Sequence, residues 1–164
     1  MEQQQYSEEE VGLYNPAYIG FILYSCIREY VENKVEGMHC ALPFVVVPMA
    51  MSNTISHRLP KQYSTSISSW VTKNEGVLID LVEQAESYIP IVQSACSFLL
   101  HKELITMKKS GTLLLKDSKL SKIPSLFNKS VHMKNSLRAS RFLGKWFSHA
   151  PTTEIIFIQL GIRP

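Results

Sequence analysis

A chain of 164 residues with 45% hydrophobic and 19% charged residues has the material for one compact domain and lies outside the composition of disordered proteins. Its formal charge of +3 hides a division: residues 1–100 hold 5 Lys/Arg against 11 Asp/Glu, whereas residues 101–164 hold 12 against 3. The longest apolar run, around Ala41–Met51, is too short for a membrane span and contains two prolines, and the opening MEQQQYSEEE is acidic where a signal peptide is basic and apolar, so a cytoplasmic protein is expected.

Residues 1–12 read as a mobile acidic lead, and residues 13–164 as a single helical domain. Asn15-Pro16 offers an N-cap followed by a first-turn proline. The run Ala17–Asn33 then places Ile19, Ile22, Leu23, Cys26, Ile27, Tyr30 and Val31 at helical spacing, and Gly37 closes the element. Ala41–Met51 is open between strand and helix. Pro48 argues against a central strand, while Val45–Val47 favours one by propensity; helix is preferred. His57–Pro60 reads as a loop, and Ser64–Lys73 as a short helix carrying Trp70.

From Gly76 onward Val77, Leu78, Leu81, Val82 and Ala85 share one helical face, with Asp80, Glu83 and Glu86 on the other. Pro90 implies either a kink or a second helix from Ile91 to about His101. Leu104–Met107 and Thr112–Lys116 flank a Lys-Lys-Ser-Gly turn in which Gly111 supplies positive φ, which predicts a hairpin. Residues 117–132 read as irregular. A last long helix is expected over Met133–His149, stopped by Pro151, and a terminal apolar helix follows, capped by Thr152 or Thr153. The expected fold is mainly α with a small β-hairpin, winged-helix-like in residues 76–116.

Chemistry is sparse. No nucleophile–base pair, GxSxG elbow or glycine-rich phosphate loop occurs in the sequence, and an enzyme is not expected. Cys26, Cys40 and Cys96 share no metal-ligand spacing and read as buried reduced thiols; neither metal nor cofactor is expected. Trp70 and Trp146 fall within apolar spacing and read as core residues.

Two cationic groups and one apolar group are the candidate sites. A winged hairpin can contact phosphates through its tip, which makes Lys108 and Lys109 candidates for nucleic-acid binding. Lys134, Arg138, Arg141 and Lys145, at spacings of four, three and four, form a ridge suited to a phosphate backbone or an acidic partner, although a solvated helix face carries the same pattern. Ile155, Ile156, Phe157, Ile158 and Leu160 make the terminal helix apolar on nearly every side. One side is expected to pack on its own domain and the other to be covered by a partner.

Tyr14-Asn15-Pro16, Leu42-Pro43 with Pro48, Leu59-Pro60, the Ser66–Trp70 helix and the Val77–Leu100 region with its central Pro90 form an ordered series. It closes with Leu143-Gly144-Lys145-Trp146-Phe147, Thr153-Glu154-Ile155 and Leu160-Gly161-Ile162-Arg163-Pro164. In order and spacing these motifs resemble the middle component of bacterial three-component ABC-ATPase systems, in particular the small third subunit of Lamassu-type anti-phage and anti-plasmid defence. The resemblance runs from about Tyr14 to Pro164 and leaves out residues 1–10 and 117–132. It implies a non-enzymatic subunit of a hetero-oligomer, between an SMC/Rad50-like ATPase that senses DNA and an effector nuclease that it holds in check. DNA contact by the complex and no contact with membrane are part of that expectation. The alternative is a free-standing winged-helix DNA-binding regulator, which accounts for the basic second half without partners.

Overall fold

The computed structural model describes residues 14–116 and 119–163; the acidic residues 1–12 lie outside the described residues. The first helix, α1 (Pro16–Val31), is the organising element. The Asn15 side chain accepts the Ala17 N–H at 2.8 Å and Pro16 takes the first helical position, so the expected start is observed. Every residue from Ile22 to Tyr30 is buried, because helices cover α1 on more than one side. The helix ends at Val31, before Gly37, whose φ of +110° serves instead the turn that leads into β1 (Met38–His39).

The ambiguous apolar run is a helix, α2 (Pro43–Met51), with Pro43 at its first turn and Pro48 inside it. Burial of every residue but the half-buried Phe44 removes the need for an amphipathic pattern, which is why neither the strand nor the helix period stands out. Ser52 then caps α3 (Asn53–Arg58) through Ile55 N–H, so His57 and Arg58 are helical rather than part of a loop. Ser66 caps α4 (Ile67–Lys73) in the same way at Ser69 N–H.

Pro90 does not divide its region. One helix, α5, runs from Glu75 to His101 with Pro90 inside it. It closes with Glu103 at φ 56° and a Leu104 N–H to Leu99 C=O bond of 3.0 Å, a Schellman-type end in which glutamate occupies the position glycine favours. The hairpin β2 (Ile105–Met107) and β3 (Thr112–Leu115) follows. It belongs to a three-stranded antiparallel sheet of order β1-β3-β2, with Met38 opposite Leu113 and Ile105 opposite Leu115. The hairpin expected within residues 76–116 is therefore observed, but it pairs with a third strand from outside that range. A two-residue strand has no readable alternation, so β1 is not legible in the sequence.

Within the stretch expected to be irregular, Ser125–Lys129 forms a 3-10 helix. Ser130 then caps α6 (Val131–Ser148) through Met133 N–H. Thr152 caps α7 (Thr153–Leu160), and Gly161 ends it at φ 71°. The closest helix packing is α1 on α6; α5 also packs on α1, and α2 packs on both α5 and α6. Small residues permit the α1–α6 approach. Ser136, Ala139, Ser140 and Gly144 are buried, Ser140 Oγ–H donates to the Ile22 carbonyl, and a Cβ at Gly144 would collide with the Cys26 carbonyl oxygen.

Both tryptophans are buried, as expected. Their indole N–H groups hold the intervening segment: Trp70 donates to Arg58 C=O at 2.7 Å and Trp146 to Thr65 C=O at 2.6 Å. Their rings meet edge to face at 5.7 Å. Of the three free thiols only Cys26 is fully buried; Cys40 and Cys96 are half-buried.

Candidate interaction surfaces

The four cations of α6 do form a ridge, but the fold employs most of them. Arg141 Nε and Nη2 both lie 2.9 Å from Glu29 Oε1. The Glu29 side chain is only 8% exposed, so this pair compensates a buried carboxylate on α1. Arg138 Nη2–H donates to the Ser56 carbonyl at 3.2 Å. Lys145 Nζ stands 5.2 Å from the centre of the Tyr63 ring, and that ring stacks on Phe142 at 4.8 Å. Lys134 is exposed.

Between α6 and the 3-10 helix lies a cleft of about 430 Å³. Lys134, Arg138 and Arg141 supply its cations, Tyr63, Phe127 and Phe142 its aromatic walls, and Glu29 its one carboxylate. Such a lining suits an anionic group attached to a flat or apolar body. A polar clasp beside it joins α3 to α6. His57 Nδ1 faces the Asn53 carbonyl at 2.6 Å, Asn135 Nδ2 faces His57 Nε2 at 3.4 Å, and His132 Nδ1 faces Asn53 Oδ1 at 3.1 Å.

Lys108 and Lys109 sit at the exposed hairpin turn, as expected. Gly111, at φ 79°, closes the turn by donating its N–H to Lys108 C=O at 2.9 Å. Lys108 Nζ reaches the Glu36 carbonyl at 3.4 Å, tying the hairpin tip to the loop before β1.

The apolar helix α7 is two-sided. Ile156, Phe157 and Leu160 are buried, Ile155 is half-buried, and Ile158 is 75% exposed. Its packing partner is α4. Beyond Phe157 a groove of about 730 Å³ opens between the residues after α7 and the outer face of α5, lined by Phe44, Val82, Ala85, Ile89, Phe157 and Ile162 among others. Val82, expected on the inner face with Leu78 and Leu81, is 46% exposed. The sequence reading misses that outer apolar face, although its spacing is readable.

Burial pushes the Cys96 thiol up to about 11, with Cys40 contributing, and the Tyr88 hydroxyl up to about 12, with Tyr14 contributing. Burial raises Cys26 further still, helped by Glu29. Among the described residues, no group of three or more His, Cys, Asp or Glu is placed to hold a metal ion, and no helix is long and apolar enough to cross a membrane.

No curated protein and no solved structure matches the chain. A family match does extend over residues 3–164, taking in the acidic lead and the 117–132 stretch that the short motifs leave aside. The chain belongs to the family of ABC-three component (ABC-3C) system Middle Component 3, and is thus an accessory component of a multi-component ABC system.

Proposed function

We propose that this protein is a non-enzymatic assembly and regulatory subunit of a cytoplasmic defence complex of the Lamassu type. In this reading it links an SMC/Rad50-like, DNA-sensing ATPase to a nuclease-type effector and holds the effector in check. The family match over residues 3–164 carries the reading. Ile158, exposed beside three buried apolar residues of the same helix, supports it by leaving α7 with an apolar side chain for a partner to cover. The test is co-expression of the tagged chain with the ATPase and the third component encoded beside it. Recovery of a stoichiometric complex is expected, together with no ATP hydrolysis and no metal-dependent DNA cleavage by the isolated subunit. Recovery of the chain alone, or cleavage abolished by a substitution in this chain, would overturn it.

A second reading has one observation in its favour. The lysine-tipped turn between β2 and β3, in a sheet of order β1-β3-β2, would serve as the wing of a winged helix, and a free-standing DNA-binding regulator would use Lys108 and Lys109 on phosphates. Tight, sequence-dependent DNA binding by the isolated chain at physiological salt would favour this reading over assembly.

A further inference from the structure

Helix α5 carries two apolar seams rather than one. The inner seam, with Leu78, Leu81, Val92, Ala95 and Leu99, is buried against the domain. Shifted by one residue, the positions 79, 82, 86, 89, 93, 96 and 100 repeat at three-four spacing over the length of the helix. Ile79, Val82, Ile89 and Leu100 in this outer series are 66%, 46%, 41% and 37% exposed. A helix serving only its own core leaves that face polar. Five of the seven positions are apolar, with Glu86 and Gln93 as the polar exceptions, and a three-four repeat of mainly apolar residues is the pattern by which one helix receives another along its length, knobs into holes.

We propose that the outer seam of α5 is the docking face for a single α-helix of a partner subunit, with apolar residues at heptad spacing and Lys or Arg along its flanks. The charge of α5 selects that occupant. Between Glu75 and His101 the helix carries Glu75, Asp80, Glu83 and Glu86 and not one lysine or arginine. Glu86 lies within the seam itself, where a polar residue fixes register and requires an opposite partner. The same acidity argues against a second copy as the occupant, because pairing α5 with α5 sets like charges against each other. On α6, the most basic helix, Leu137, Leu143, Trp146 and Phe147 are buried, Met133 and Phe142 are half-buried, and Val131 is exposed at its first turn, so α6 of another copy offers no continuous complementary seam. The groove between α5 and the residues after α7, with Phe157 and Ile162 on its far wall, gives the incoming helix a second side to rest against.

This proposal deepens the assembly reading and rests on it for the existence of a partner. Its test uses the full-length chain co-expressed with the other two components of its ABC system. The variant Val82→Glu/Ile89→Glu changes two exposed positions and is expected to keep the wild-type circular dichroism and melting temperature. It should retain one component about tenfold less well, or lose it. Glu83→Lys/Glu86→Lys, which leaves every apolar side chain of the seam in place, should weaken retention in the same direction. A photo-crosslinking residue introduced at position 79 should attach to a helical, Lys/Arg-flanked segment of that component. Normal assembly by folded Val82→Glu/Ile89→Glu, or a crosslink to a second copy of this chain, to DNA or to a non-helical segment, overturns the proposal and leaves the assembly reading standing. Failure of the wild-type chain to recover any component overturns both.

Discussion

Among the described glycines, Gly144 has the least room for a side chain. A methyl group there would meet the backbone of α1 at Cys26, with the carbonyl oxygen first and the carbonyl carbon and Cα behind it. No flexible side chain can yield, so the helices must part. Gly144→Ala should therefore destabilise by about 1–3 kcal/mol, despite the better helix propensity of alanine, and a urea titration would read the loss as a lower midpoint. The thiol and phenol groups give a second expectation, in alkali. Cys96 and Tyr88 are held protonated in the fold, at about 11 and about 12, above ordinary values of 9.0 and 10.0. The unfolded chain releases these protons first, so their stabilisation is whole below pH 9 and is lost as pH rises from there towards 12. Melting temperature should fall across that window, and a Cys96→Ala/Tyr88→Phe variant should flatten the fall. At this scale, sequence reading succeeds where one residue type suffices, as for the two tryptophans. It cannot pair Glu29 with Arg141, because residues 112 positions apart meet only through the α1–α6 packing.

Helix ends are the most legible feature of the elements. Asn15, Ser66 and Thr152 each cap a helix through a side-chain oxygen, and each stands at a recognisable boundary between polar and apolar runs. Prolines are less legible, since a proline signals local cost and not whether packing overrides it. Pro90 removes the N–H that would bond the Glu86 carbonyl, yet α5 continues through it, held on both sides of the break by the buried Leu81, Val92 and Ala95. Restoring that donor should outweigh the small unfolded-state entropy that proline removes. Pro90→Ala is expected to stabilise by roughly 1–2 kcal/mol; a melting temperature at or below that of the wild type would mean that packing around a bend in α5 matters more than the missing bond. The outer seam of the same helix escapes the sequence reading because Val82 is assigned there to the nearer inner face. Two seams one residue apart merge into one wide apolar face in the sequence, and burial shows which positions belong to each.

For the whole molecule, the division of charge by sequence becomes a division by helix: α5 holds four carboxylates and no Lys or Arg, while α6 holds four cations and no Asp or Glu. Both helices pack on α1. The ridge of α6 does not stand wholly free for a ligand, because Arg141 compensates the buried Glu29 and Arg138 holds the Ser56 carbonyl of α3. Removing Arg141 leaves a buried carboxylate unpaired, at a cost of about 3 kcal/mol, so reversing all four charges together would confound binding with folding. The informative variant reverses Lys108, Lys109 and Lys134, which are exposed. If these lysines meet phosphates when the complex holds DNA, each lysine–phosphate pairing removed should lower the slope of log affinity against log salt by about 0.9. The triple variant should then show affinity reduced most at low salt, with its folding and assembly intact. An unchanged slope, in a complex that still contains this subunit, would assign DNA contact to the other components.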